Sequence, residues 1–192
     1  MRRGRASSVT DLGDGTILRV GGNPAREAAI MEVARTHGFP VPLVHEVRPD
    51  ALVLERIDGP TMGQALTRRP WEVLLHVRSL ADLHERLHAI LFDGGSLIHF
   101  DLHPDNVLVT AQGPVVIDWT NARGGSAAAD VAMTWVILEA SAGLPGRLIA
   151  WLFRRRVGRD VIRNGLADAR AFRLADSNVT DAEKQRVRAL RP

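Results

Sequence analysis

The 192-residue chain has no cysteine, no tyrosine and a single lysine, Lys184. Without cysteine there is neither a disulfide framework nor thiol chemistry. No run approaches the ~20 apolar residues that a membrane-spanning helix needs. The basic start Met1-Arg2-Arg3-Gly4-Arg5 lacks the apolar stretch of a secretory signal, so the expectation is a soluble cytoplasmic protein. What is present is arginine, unevenly placed. Residues 1–122 carry a net charge of −3 and residues 123–192 a net charge of +6, and a basic C-terminal surface favours anionic partners. Arg154-Arg155-Arg156 has only Trp151 and Phe153 as aromatic neighbours. A nucleic-acid-binding module therefore ranks low, and the two aromatics are expected in the core under solvated arginines.

Apolar residues make up 45% of the chain, enough for one core or two small lobes around a cleft. Residues 8–12 and 16–20 are short apolar runs separated by Gly13-Asp14-Gly15, a hairpin signal. Residues 24–36 read as a helix that opens on Pro24 and closes at His37-Gly38. Residues 40–44 are held extended by prolines, and 44–47 and 52–57 read as strands. Asp58-Gly59-Pro60 is a break. Beyond it, residues 71–91 repeat apolar positions at helical spacing, and residues 128–141, 147–157, 160–172 and 180–190 suit further helices. The reading is α+β: an N-terminal lobe over 1–57 of small antiparallel sheet with one helix, and a mainly helical C-terminal lobe over 58–192.

The residues that carry chemistry lie between 99 and 119. His99-Phe100-Asp101-Leu102-His103-Pro104-Asp105-Asn106 leads into Val107-Leu108-Val109, and a turn then leads into Val115-Val116-Ile117-Asp118-Trp119. Asp101 falls in a loop, Asn106 before one strand and Asp118 at the end of the next. An amide and two carboxylates at strand ends are hard oxygen ligands for Mg²⁺, with one carboxylate free to orient a hydroxyl. An ordinary Asp/Asn/Pro turn could carry any one of these residues; the spacing of all three is the kinase catalytic-loop pattern.

This segment resembles the aminoglycoside phosphotransferase/choline kinase group, small-molecule kinases with a two-lobed protein-kinase-like fold. Phe100 stands where protein kinases carry Arg, and Trp119-Thr120 stands in place of Phe-Gly. The resemblance implies that ATP or GTP is co-substrate with Mg²⁺, that Asp101 orients the acceptor hydroxyl, and that Asn106 and Asp118 hold the metal. It makes Leu52–Gly59 the connection between lobes, with backbone groups near Glu55 and Ile57 meeting the purine. It makes Glu27 the partner of the phosphate-anchoring cation. That cation is normally a lysine on the third strand; here the matching strand is 16–20 and Arg19 takes the role, with the same charge in a longer, planar group. Ser7 and Ser8 offer backbone N–H groups to phosphate, although few residues precede them for a first strand. Asp130, at a helix start, falls where the family braces its catalytic loop, and it also reads as a plain helix N-terminal acid.

A second motif competes. His84-Glu85-Arg86-Leu87-His88 matches the zinc-hydrolase signature on a helix, with Glu85 as base, but the downstream sequence offers no third ligand at the usual spacing. His37, His45 and His76 read as surface or capping residues. The expected function is transfer of a γ-phosphate to a hydroxyl of a small molecule, with a nucleotide-binding pseudokinase as the alternative. The basic C-terminal third points to a neutral or anionic acceptor.

Overall fold

The computed structural model describes residues 2–3, 8–141 and 143–191. Its N-terminal sheet has five antiparallel strands in the order β1-β2-β3-β5-β4. These are β1 (Arg2–Arg3), β2 (Ser8–Asp11), β3 (Thr16–Val20), β4 (Val44–Val47) and β5 (Ala51–Glu55). The β2–β3 hairpin closes where Asp11 accepts from Gly13 N (2.9 Å) and Asp14 from Thr16 N (3.0 Å). Gly13 and Gly15 sit at φ +81° and +85°, a region other residues enter only at a cost. Helix α1 (Pro24–Thr36) follows. Asn23 caps it by accepting from Arg26 N, Pro24 fits the first turn, and Gly38 turns the chain out at φ +73°.

Helix α2 (Met62–Arg68) was absent from the sequence reading. Thr61 and Gln64 form a reciprocal capping box at its start. The long amphipathic run becomes helix α3 (Val73–His88), shorter at both ends than 71–91. Leu91 instead enters strand β6 (Leu91–Phe92), which pairs with β7 (Gly95–Ile98). The hairpin between Asn106 and Asp118 is β8 (Val107–Thr110) with β9 (Gly113–Val116). Strand β10 (Arg123–Gly125) then joins the β6–β7 pair, giving a small sheet that the sequence reading did not contain.

Helices α4 (Ala127–Ser141), α5 (Gly143–Val157), α6 (Arg159–Ala175) and α7 (Asp181–Ala189) complete the C-terminal part. Helix α4 is apolar on every side because it is covered on every side: Val131 through Leu138 are all buried. Its closest neighbour is α6, where a Cβ on Gly165 would collide with the Ala128 carbonyl. Among the large side chains with almost no exposure are Leu80, Leu83, Leu87, Trp119, Trp135 and Phe153.

Two expectations about individual side chains are corrected. Phe153 is buried as read, but Trp151 is 44% exposed and carries Arg155 over its ring at 4.9 Å. The helix turns by about 100° per residue, so a pair two apart cannot share one buried face. His76 is buried, because it lies on the inward stripe of α3 one position before Val77. No described helix is long and apolar enough to cross a membrane.

Candidate active site

Arg19 lies on β3 and Glu27 on the first turn of α1. The Arg19 Nη1 donates to Glu27 Oε2 at 2.7 Å, and the two side chains are 6% and 4% exposed. Arg19 Nη2 donates to Thr120 Oγ1 (2.5 Å) and stands 3.6 Å from Asp118 Oδ1. The Thr120 hydroxyl passes its own hydrogen to Asp118 Oδ1 at 2.6 Å. Burial pushes the Glu27 carboxyl above its ordinary range, against the pull of Arg19.

Asp118 follows β9 in the left-handed region, φ 63° and ψ 67°. This bend turns its carboxylate out of the strand line to the point where Arg19 arrives. Its side chain remains 43% exposed, so part of it is open to a ligand. The neighbouring strand start is tied on by Ile117 N donating to Asn106 O (3.0 Å). Asn106 Nδ2 donates to Asp101 O (2.9 Å) and to Asp101 Oδ2 (3.2 Å). Both contacts use the amide nitrogen and leave the amide oxygen for another partner. Burial raises the Asp101 carboxyl, with the positive field of His103 opposing. The His103 Nδ1 accepts from Asp105 N (3.3 Å), and Nε2 stands 3.8 Å from Asp101 Oδ1.

The loop that carries Asp101 is held from below by Asp130. Its Oδ1 accepts from Phe100 N (2.7 Å) and its Oδ2 from His99 N (3.3 Å). Phe100 itself lies at φ +61°, a conformation costly for an aromatic residue and sustained by this double contact. His99 Nε2 donates to Ile117 O (3.1 Å), joining the loop to the strand that carries Asp118. Of the two readings of Asp130, the loop brace is the one the contacts describe. Although burial works against ionisation, the adjacent His84 and His88 imidazoles, the latter hydrogen-bonded to it, hold the Asp130 carboxyl far below the usual carboxylate range. Three donors, His99 N, Phe100 N and His88 Nε2, converge on it, with His84 Nδ1 3.4 Å away, and this setting favours the ionised form.

The zinc-like motif thus acquires a third member: His84, His88 and Asp130 offer ligand atoms within 4.8 Å of one another. The distances are those of hydrogen bonds. His88 Nε2 is 2.8 Å from Asp130 Oδ2, and His84 Nε2 is 2.9 Å from Thr134 Oγ1. Glu85, the base of that reading, is on the surface with Arg156 at 3.5 Å. Burial lowers the His84 imidazole, outweighing Asp130.

The remaining candidates belong to the nucleotide side. Ile57 N–H makes no hydrogen bond to another described residue, whereas the Glu55 N–H is taken by Leu43 O (2.8 Å) and its carboxylate by Leu43 N (3.0 Å). Ser8 lies within β2 opposite Val20. Ser7 lies outside the described residues.

Sequence reasoning missed Thr120 and His99. Thr120 stands two positions after Asp118, a spacing at which a hydroxyl reaches back to a carboxylate. His99 had no signal beyond its place in the motif. Beside the loop, a cavity of about 760 Å³ opens between α2, α3, α4 and α5, with His103, Pro104 and Asp105 in its wall.

A β-sheet bearing a buried Arg–Glu pair, above a helical region with a braced Asp/Asn/Asp loop, defines the protein-kinase-like class. The model of the Phosphotransferase enzyme family matches residues 78–172, and that of the RIO domain matches residues 21–124. Both spans contain the segment from His99 to Asp118. The chain belongs to the protein-kinase-like family that includes the aminoglycoside phosphotransferases and choline kinases. No curated protein sequence matches it. Among solved structures, the apo form of a thermostable mutant of aminoglycoside phosphotransferase APH(4)-Ia superposes with TM-score 0.74 at 17% identity, over 98% of this chain and 92% of that one. A ternary complex of a mutant of the same enzyme with AMP-PNP and hygromycin B gives 0.72 at 17% identity, over 98% and 90%. A choline/ethanolamine kinase family protein from Mesorhizobium loti gives 0.65 at 18% identity, over 97% and 85%.

Proposed function

We propose that the protein transfers the γ-phosphate of ATP or GTP to a hydroxyl of a small molecule, with Mg²⁺. The observation that carries this reading is the convergence of Arg19, Thr120 and Asp118 with the Asn106–Asp101 pair, bound to each other through Ile117 N and His99. Asp101 orients the acceptor oxygen and receives its proton as the new O–P bond forms and the bond to the nucleoside diphosphate breaks. Its burial favours proton acceptance. The geometry of the loop is set before substrate arrives, so little reorganisation accompanies the step.

The oxygen donors fit Mg²⁺. Asn106 keeps its amide oxygen unused by Asp101, and Asp118 keeps a partly exposed carboxylate with Thr120 and Arg19 on Oδ1. When bound there, Mg²⁺ would neutralise charge on the phosphate oxygens. Arg19, oriented by Glu27, steadies the phosphates with its charge, and the Ile57 N–H meets the purine edge. The residues over 1–57 serve the nucleotide and those over 58–192 the catalytic loop and acceptor.

One observation favours a second reading. Arg19 is already engaged by Glu27, Thr120 and Asp118, which suits a pseudokinase that binds nucleotide without turnover. A screen of hydroxylated metabolites with [γ-³²P]ATP separates the two. Label transfer that Asp101→Ala removes supports the kinase. Mg²⁺-dependent nucleotide binding with no transfer to any acceptor and no hydrolysis supports the pseudokinase.

A further inference from the structure

The cavity beside the catalytic loop is large enough for a drug-sized ligand. Its walls are chiefly apolar: Leu66 from α2, Val73 from α3, Ile137 and Leu138 from α4, and Ile149 from α5. Leu148 stands at the rim and is 54% exposed. Leu144 and Trp151, one turn away on either side along the same face of α5, are also exposed. An apolar face of this kind beside a cavity marks a binding surface rather than a fully solvated one.

The ionisable side chains of the lining are His103, Asp105 and Arg173. His103 lines the cavity with one edge and faces the Asp101 carboxylate at 3.8 Å. Asp105 is the single carboxylate among the described lining residues, and its Oδ1 accepts from Thr61 Oγ1 at 3.2 Å. Arg173 contributes positive charge, with Glu183 at 2.6 Å on the side of α7. A polycationic acceptor needs several carboxylates to replace its hydration, and this wall does not supply them.

We infer that this cavity receives a hydroxylated acceptor with a bulky apolar body, its hydroxyl end at His103 and Asp101 and its apolar end along Leu148. The inference rests on the phosphotransferase reading for the role of the hydroxyl, and on the cavity alone for the apolar body. The acceptor is thus an amphiphilic alcohol, neutral or anionic, and not a polyamine sugar.

The test is binding of methyl, hexyl and octyl β-D-glucoside, kept below micelle formation, and of hygromycin B, measured by calorimetry. Each added methylene is expected to tighten binding by about two- to four-fold. Leu148→Glu should weaken octyl glucoside at least tenfold, while Leu91→Glu, exposed on β6 and outside the lining, leaves it unchanged. Both positions are exposed, so neither change disturbs the core. Affinity independent of chain length, or hygromycin B binding more tightly than octyl glucoside, overturns the assignment. So does a dimer in sedimentation that Leu148→Glu dissociates, since the face would then belong to a second copy. Transfer from Mg·ATP is followed in the same samples. Chain-length-dependent binding without transfer to any glucoside supports the cavity assignment and counts against the phosphotransferase reading. Transfer to methyl glucoside as fast as to octyl glucoside does the reverse.

Discussion

Arg19 and Asp118 approach to 3.6 Å, and the Thr120 hydroxyl bridges the two. One residue comes from β3 and the other follows β9. The contact therefore joins the N-terminal sheet to the β8–β9 hairpin. An arginine makes this junction possible because its fork holds Glu27 through one nitrogen and Thr120 through the other.

Replacing Arg19 separates its two duties. Arg19→Met leaves Glu27 buried without its cation, and loss of one partner from a buried pair costs about 3–5 kcal/mol. Arg19→Lys keeps the charge but cannot reach Glu27 and Thr120 with separate rigid donors, so it should fold and bind nucleotide more weakly. Thermal melting and nucleotide titration of both variants check this. An Arg19→Met protein as stable as the parent would contradict the pairing.

Asp101 and Asp118 should differ in what they remove. Asp101→Asn keeps nucleotide affinity and lowers transfer by roughly 10²–10⁴-fold, the usual contribution of a positioned base. Asp118→Asn instead removes Mg²⁺-dependent nucleotide binding. Single-turnover rates set beside binding constants show which step each variant affects.

Asp130→Ala should be among the most damaging changes in the C-terminal part. It leaves His99 N, Phe100 N and His88 without an acceptor. Each buried unsatisfied donor costs about 1–3 kcal/mol, so a loss of ~3 kcal/mol or more is expected. For a chain of this size that lowers the melting temperature on the order of 10 °C. Unchanged melting would show that the loop does not depend on this brace.

Stability should fall as pH drops below about 6.5, the ordinary histidine value. Burial lowers both the His84 and His99 imidazoles in the folded state. Below that pH the unfolded chain binds protons that the folded chain does not, so stability rises with pH across the window. The raised Asp101 and Glu27 carboxyls act with the opposite sign around and above their own unfolded values. Comparing melts at pH 7.5 and 5.5 for the parent and for His84→Gln isolates the imidazole part. The variant should show the shallower dependence.

What the sequence made legible were features encoded locally. The helix Pro24–Thr36 has its cap, its first-turn proline and its terminating glycine within sixteen positions. The hairpin around Asp14 and the β8–β9 hairpin between Asp101 and Asp118 carry their turn chemistry with them. Helix α2 was missed because seven residues with an internal glycine make no periodic signal, although Thr61 and Gln64 spelled its cap. Gly63 is needed there because a Cβ would strike the Asp105 carboxylate. The link of Asp130 to His84 and His88 was out of reach for another reason: Asp130 is 42 or more positions from either histidine, and only the packing of α3 on α4 unites them. The left-handed turn at Asp118 likewise had no signal in the sequence around it.

The most direct measurement is calorimetric titration of ATP into the parent and into Asp118→Asn and Asn106→Ala proteins, with and without Mg²⁺. The account predicts that Mg²⁺ strengthens ATP binding to the parent by at least tenfold and that both substitutions abolish the strengthening. Equal Mg²⁺ dependence in all three proteins would contradict the placement of a cation between Asn106 and Asp118, and with it the phosphotransferase centre.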